Sequence, residues 1–259
     1  MTAGVEVEAR VKIGLDLMGV PPRKTGIRRY ARGLTRALAA ADAGVEYFAF
    51  GGDHILDELG ELPNIRKVEC SSAGRSGRRL AEQLSLPGRL RMYDLDLVHS
   101  VNNTLPVLCR LPSVVTVHDL TFFRLPGQRF ERQKTAYYRL LVPMSLRHAS
   151  RIICVSNNTA RDLAALYRIS THKMRCVYNG LDSDFGTNSD RVFSSPYVLF
   201  VGAVEPVKNI LRVIQAFHTF CAHHRSDHTL VIAGPEDRAY EKARESVESL
   251  GLHDRVVFT

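Results

Sequence analysis

The residues best suited to chemistry lie where apolar runs stop. In "VVTVHDLTFF", residues 114–123, a strand-like run ends on His118 and Asp119. An imidazole there can donate a hydrogen bond to a ligand hydroxyl or titrate near neutrality. A capped loop residue is the alternative, and the sequence leaves both open. In "PPRKTGIRRY", Thr25 and Gly26 open a helix. Glycine lets a ligand approach the backbone, and a helix N-terminus attracts an anion. Lys24, Arg28 and Arg29 add positive charge. In "VGAVEPVKN" a strand ends at Gly202 and Lys208 arrives just before a helix. A cation beside a helix N-terminus is unfavourable unless an anion is there too; a solvated lysine is the alternative. Ser156 and the pair Asn179 and Gly180 also follow strand-like runs.

Other chemistries find less support. The loop at Thr25 and Gly26 is neither G-x-G-x-x-G nor a Walker-type loop, which argues against a dinucleotide oxidoreductase or a nucleoside triphosphatase. The D-x-D triplets at Asp94–Asp96 and Asp182–Asp184 lie in polar loops where aspartate is common. His218 and Cys221 stand three apart without a complete ligand set, so no metal site is expected.

The elements that must position these residues alternate along the chain. Strands are expected at "VKIGLDL", "VEYFAF", "IRKVEC", "DLVHSV", "VVTVHD", "RIICVS" and "KMRCVYNG". Between them lie a helix over "GIRRYARGLTRALAAA", a long helix around "ERQKTAYYRLLVPMSLRHA" kinked by Pro143, and "NNTARDLAALY" capped by Ser156 or Asn157. Residues 182–196, "DSDFGTNSDRVFSSP", read as a linker. After it come strand "YVLFVG", helix "NILRVIQAFHTFCAHH", strand "HTLVIAG", helix "DRAYEKARESVESLG" and strand "RVVFT". Doubly apolar strands separated by helices imply parallel, doubly wound sheets. The expectation is an α/β chain with a Rossmann-like domain at 1–181 and the first half of a second at 197–259. Ligands of such sheets lie beyond the carboxyl ends of the strands, where His118, Asp119, Thr25, Gly26, Ser156, Asn179 and Gly180 all stand.

Composition sets the outer bounds. The 259 residues include 45% hydrophobic and 24% charged, as in an ordinary soluble globular protein. No apolar run approaches the roughly 20 residues of a membrane span, and no secretory signal is seen. Five scattered cysteines without a C-x-x-C pair point to reduced thiols and a cytoplasmic protein. A net charge of +8 and a pI near 9.4 suit an anionic partner. The densest cluster, "AGRSGRRLAEQLSLPGRLRMY", carries Arg75, Arg78, Arg79, Arg89 and Arg91 beside Leu80, Leu84 and Leu86. It reads as a solvated helix face or as a peripheral contact with an anionic membrane at its inner face. No motif supports nucleic acid.

Taken in order, "TGIRRYARGL", "VVTVHDLTFFRLP", "RIICVSNNTARDL", "CVYNGLD", "VLFVGAVEPVKNILRVIQAF", "TLVIAGPED" and "DRVVFT" resemble the family 4 retaining glycosyltransferases of GT-B architecture. The resemblance implies metal-independent transfer of a sugar from a GDP- or UDP-linked donor to a glycan or lipid-linked acceptor, with retention of configuration. It needs no cofactor beyond that co-substrate. It places His118 beside the donor sugar, Gly26 in the loop facing the donor phosphates, and Lys208 against the diphosphate leaving group. Gly202, Asn179 and Gly180 join the donor-binding set, and Thr25, Arg29 and Asp119 the acceptor side or cleft. Two departures stand out. Val207 occupies a position where related sequences often carry arginine next to the lysine. The family's glutamate–spacer–glutamate motif is not reached by Thr259, so a truncated, non-catalytic remnant that binds only acceptor or membrane is the competing expectation. An epimerase of another Rossmann type is disfavoured by the missing dinucleotide fingerprint and the lack of a Tyr-x-x-x-Lys pair.

Overall fold

The computed structural model describes residues 10–23, 25–70, 74–124, 132–181, 195–224 and 227–259. The chain divides into two compact units, one formed by Met1–Leu120 with Ala136–Ser183, the other by Thr121–Thr135 with Asp184–Thr259. The linker expected at 182–196 lies almost wholly outside the described residues, as does Lys24.

Seven strands build the first unit: β1 (Lys12–Asp16), β2 (Glu46–Gly51), β3 (Ile65–Glu69), β4 (Leu97–Ser100), β5 (Ser113–Val117), β6 (Arg151–Cys154) and β7 (Met174–Cys176). Between them in the chain run α1 (Gly26–Ala41), α2 (Asp53–Leu56), α3 (Gly74–Leu84), α4 (Leu86–Leu90), α5 (Thr121–Arg124), α6 (Arg132–His148) and α7 (Asn157–Tyr167), of which α5 and the first residues of α6 group with the second unit. The sheet order is β3-β2-β1-β4-β5-β6-β7, and every pairing is parallel. The order reverses between β1 and β4. That is the switch point, where the loops leaving two adjacent strands part to opposite faces and open a crevice.

Alternation along β2 shows why both faces are covered. Tyr47 and Ala49 pack with Leu15, Leu17, Ala31 and Ile55 on one side. Phe48 and Phe50 pack with Leu86, Leu90, Leu95 and Val98 on the other. The register joins Asp16 to Ser100, and Ser100 to Val115, so the polar ends of β1 and β4 meet in the middle of the sheet.

One helical segment differs from the sequence expectation. The arginine-rich segment is broken at Ser85 into α3 and α4 because Pro87, lacking an amide hydrogen, fits only a first helical turn. Leu80 and Leu84 are exposed while Leu86 is buried, so the segment has no single apolar side. The long helix α6 continues through Pro143 to His148.

The second unit contains β8 (Tyr197–Val201), α8 (Ile210–His224), β9 (Thr229–Ala233), α9 (Tyr240–Ser249) and β10 (Val256–Phe258), with parallel sheet order β10-β9-β8. This repeats β3-β2-β1 of the first unit. Ile210, Ile214 and Phe217 of α8 and Ala243 and Val247 of α9 cover Leu230 and Ile232 of β9. Tyr197, Val198, Leu199 and Val201 on β8 remain exposed. Both units are Rossmann-like. Among the described residues no helix is long and apolar enough to cross a membrane.

Candidate functional site

At the β1–β4 switch point the structure buries a carboxyl group. Asp16 closes β1 and is almost wholly excluded from solvent. Its Oδ1 accepts from the Met18 amide at 3.0 Å, and its Oδ2 accepts from the Ser100 hydroxyl. Burial raises its pKa to about 6, against the lowering pull of those two hydrogen bonds. Nearby, Asn102 donates to the Gly19 carbonyl at 3.0 Å. The loops after β1 and β4 are thereby fastened to each other. Sequence reading passed over Asp16, Ser100 and Asn102. The available signal was an aspartate closing an apolar strand, the same signal that singled out His118.

His118 follows β5 directly. It is half-buried and held on several sides. Its amide donates to Asn103 Oδ1 at 2.9 Å, and its carbonyl accepts from the Thr159 hydroxyl at 3.4 Å. Its Nε2 lies 2.8 Å from the Val101 carbonyl. A carbonyl only accepts, so Nε2 carries a hydrogen. The imidazole packs perpendicular to the ring of Tyr30 on α1, with centroids 4.8 Å apart and planes at 86°. The Tyr30 hydroxyl contacts Thr116 Oγ1 at 3.1 Å, and Thr116 Oγ1 lies 2.9 Å from Nε2 of buried His99. Burial, reinforced by repulsion from His118, lowers the His99 pKa to about 4. His99 is therefore a neutral core imidazole at neutral pH, while burial raises the Tyr30 phenol above its ordinary value.

Thr25 caps α1 as expected, accepting from the Arg28 amide at 3.3 Å. Gly26 is exposed, and a methyl group at its Cβ position would meet nothing within 4 Å. Neither backbone conformation nor packing calls for glycine here, although glycine is a poor helix former. Arg29 is exposed. Arg28 departs from expectation. Its side chain pairs with Glu58 at 3.0 Å and donates to the carbonyls of Pro22 and His54. Its charge is committed to holding the loop rather than to an incoming anion.

The remaining candidates of this unit also stand at carboxyl strand ends. Ser156 is the cap of α7, accepting from the Thr159 amide at 3.0 Å. Asn179 and Gly180 lie in the exposed loop after β7, and Asn157 Nδ2 donates to the Tyr178 hydroxyl at 3.0 Å. Asp119 is half-buried beside His118.

In the second unit Gly202 closes β8 with φ +151°. Its partner, which sequence reading missed, is Gly234 at the end of β9, also at φ +151°. A Cβ on Gly234 would lie 2.2 Å from the Gly202 carbonyl oxygen, so only glycine fits. The two strand ends are locked by a hydrogen bond of 2.8 Å from the Gly202 amide to the Ala233 carbonyl. Lys208 follows in the short 3-10 turn Pro206–Lys208, with Asn209 in the left-handed region at φ +57°. Its side chain is exposed.

Asp96 Oδ2 accepts from the Lys12 amide at 2.8 Å, so one aspartate of the first D-x-D triplet serves the sheet; the second triplet lies outside the described residues. Among the described residues no group of three or more His, Cys, Asp or Glu side chains could hold a metal ion. Cys70, Cys109 and Cys154 are buried free thiols, Cys221 is half-buried, and Cys176 is exposed.

Two family profiles match the chain. A family profile described as Glycosyltransferase Family 4 matches residues 24–185, and one described as Glycosyl transferases group 1 matches residues 189–259. The chain is 27% identical over 180 residues to the O-antigen chain mannosyltransferase RfbU of Salmonella typhimurium, covering 68% of this chain and 46% of that protein. It is 27% identical over 243 residues to the O-antigen chain mannosyltransferase B of Escherichia coli, covering 81% and 60%. The chain thus spans from under half to three fifths of these relatives. Among solved structures, a glycosyltransferase from Rickettsia africae superposes with a TM-score of 0.65 at 15% identity, covering 96% of this chain and 68% of the other. A UDP-N-acetylglucosamine 2-epimerase superposes with a TM-score of 0.54 at 11% identity, covering 96% and 67%. At these identities the likeness shows the fold alone. A glycosyltransferase and an epimerase thus share this fold, so the fold by itself does not separate transfer from epimerisation.

Proposed function

This chain belongs to Glycosyltransferase Family 4, and we propose that it takes part in moving a hexose from a nucleotide-sugar donor to a glycan or lipid-linked acceptor, with retention and without a metal ion. The observation that carries the reading is the arrangement at the switch point of the first unit. There His118 is held beside the N-terminal end of the helix that opens at Gly26, through Tyr30 one turn further along. Breaking the bond between sugar and nucleotide develops negative charge on the diphosphate. Stabilising that charge is the main electrostatic demand on such a site. In this reading the amides at the start of α1 approach the phosphates, which needs a residue without a side chain at Gly26. On the second unit, taken by itself, exposed Lys208 offers a cation, and Gly202 with Gly234 leaves the strand ends open to close approach by a nucleotide-sugar. Gly180 and Asn179 join the donor side, and Thr25, Arg29 and Asp119 the acceptor side. His118 offers a hydrogen bond to the donor sugar. Its ring orientation is fixed by the Val101 carbonyl before the donor arrives, so little ordering cost remains.

Both curated relatives named above are mannosyltransferases, so mannose heads the donor panel. The test is calorimetric titration with GDP- and UDP-linked hexoses, followed by diphosphate release in the presence of glycan and lipid-linked acceptors. The anomeric configuration of the product is read by NMR. Binding with release and retention supports the reading. Binding without release marks a remnant that holds ligand without turnover. No binding of any nucleotide-sugar sinks it.

We also read a membrane-facing surface on the first unit. Gln83 of α3 donates to the Leu105 carbonyl at 3.0 Å and accepts from the Val107 amide at 3.1 Å. Ser145 of α6 accepts from the Leu105 amide at 2.9 Å. These bonds join α3, the loop after β4 and α6. Leu80, Leu84, Leu108, Leu140 and Met144 are exposed on the joined elements. Segments 74–92, 104–112 and 136–150 contain eight arginines and one acidic residue, Glu82, which is buried. Exposed apolar side chains on elements that also expose Arg91, Arg110, Arg139 and Arg147 suit an anionic lipid surface. The arginine set shifts from the sequence expectation. Half-buried Arg89 is committed to the Glu69 carbonyl at 2.8 Å, whereas Arg110, Arg139 and Arg147 are exposed. The side chains of Arg75, Arg78 and Arg79 lie outside the described set.

A further inference from the structure

Two contacts fix the His118 ring, the Val101 carbonyl at Nε2 and the ring of Tyr30, and the second comes from a residue whose type is not explained by packing alone. Tyr30 projects from the first full turn of α1. Its ring packs perpendicular to His118 with centroids 4.8 Å apart, yet its hydroxyl reaches across to Thr116 on β5 at 3.1 Å. Thr116 in turn touches His99 on β4 at 2.9 Å. A phenylalanine would fill the same space against His118 but would have nothing to offer Thr116. A buried phenol hydroxyl is costly unless it is paired. The chain His99–Thr116–Tyr30 therefore spends polar groups from three elements to fix one aromatic ring. His99 can end that chain because it stays neutral: a charged imidazole there would be buried and would face His118.

We propose that Tyr30 is a positioning residue for His118, tethered through Thr116 to His99 so that the start of α1 and the end of β5 act as one rigid body. The proposal rests on the reading that places His118 beside the donor sugar, but its geometry can be tested without turnover. Removing Tyr30 frees one side of the imidazole. The ring then leaves the orientation in which Nε2 donates to the Val101 carbonyl for part of the time. Removing only the hydroxyl leaves the ring contact but unfastens it from β5.

The experiment uses the full 259-residue chain with histidine labelled by nitrogen-15, His118→Gln serving to assign its signals. In the unsubstituted protein His118 should show the single tautomer with hydrogen on Nε2. Tyr30→Leu should give a mixture of tautomers or an exchange-broadened signal. Tyr30→Phe should retain the tautomer with a shifted resonance. Where transfer is measurable, Tyr30→Leu should lower kcat roughly ten- to a hundredfold while KM for the donor changes by less than about threefold, and Tyr30→Phe should recover most of the loss. Thr116→Val, close to the same shape, is the second variant should Tyr30→Leu fail to fold; it should shift the His118 resonance in the direction seen for Tyr30→Phe. A His118 signal unchanged in both Tyr30→Leu and Thr116→Val overturns the proposal. So does a loss of kcat matched only by a smaller folded fraction. If the unsubstituted chain transfers no sugar, the function proposed above fails, and the tautomer measurements still decide the role of Tyr30.

Discussion

Asp16 and His99 should oppose each other as pH falls, and removing either should uncover the other. Asp16 has its carboxyl raised from 3.8 to about 6, so the folded state binds its proton more tightly than the unfolded state does. Folding therefore gains stability from this group as pH drops through 6 toward 4. His99 has its imidazole lowered from 6.5 to about 4, so the unfolded state binds that proton more tightly. Folding loses stability from this group as pH drops through 6.5 toward 4. Each pH unit of displacement corresponds to about 1.4 kcal/mol, so each group contributes about 3 kcal/mol across nearly the same window, with opposite signs. In the native chain these two effects nearly cancel. The assay is urea unfolding followed by far-ultraviolet circular dichroism between about pH 7 and pH 4, with stability taken by linear extrapolation. Subtracting the native curve removes the surface carboxylates common to all variants. Relative to the native chain, Asp16→Asn should lose about 3 kcal/mol over that interval and His99→Gln should gain about 3 kcal/mol. The double variant should run parallel to the native chain. Difference curves that are flat, or that slope in the same direction, would refute the assignment of a buried carboxyl and a neutral buried imidazole to this switch point.

The remaining expectations are more direct. In a chain that transfers sugar, His118→Ala should keep the fold and reduce turnover by about 100-fold or more, and Lys208→Ala should both slow transfer and weaken binding of the nucleoside diphosphate product; unchanged transfer per folded molecule in His118→Ala would mark the histidine as structural. Gly26→Ala should change stability by less than about 1 kcal/mol yet weaken donor binding, whereas Gly234→Ala, whose Cβ would sit 2.2 Å from a carbonyl oxygen, should destabilise the second unit by at least ~2 kcal/mol. Both are read by thermal unfolding alongside nucleotide titration. Sedimentation with vesicles containing anionic lipid should capture the chain at low salt and release it at high salt, and replacing Leu108 and Leu140 with Gln should weaken capture at both. Equal capture of the variant would remove this surface from the account.

The legible parts of this chain were those governed by local rules, and the illegible parts those made by contacts distant in sequence. Helix α1 and the capping role of Ser156 follow from apolar spacing and side-chain acceptors within four residues. The strand count and parallel arrangement follow from doubly apolar runs separated by helices. By contrast, Arg28 looked like a free cation because its partners, Glu58 and the His54 carbonyl, lie 30 and 26 residues away. The tether from His99 through Thr116 to Tyr30 spans 86 residues at its widest step. Gly234 is required by the backbone of Gly202, on a different strand. One rule would have recovered more of the site had it been applied evenly. A parallel strand buried on both faces has no packing reason to end in an ionisable side chain, since burying such a group costs energy unless something is done with it. His118 was singled out on that ground, and Asp16, which closes "VKIGLD" in the same way on the strand at the switch point, meets the same condition more fully. The polar group to look for first in a doubly wound sheet is therefore the one ending the first strand, because topology alone puts that strand beside the crevice.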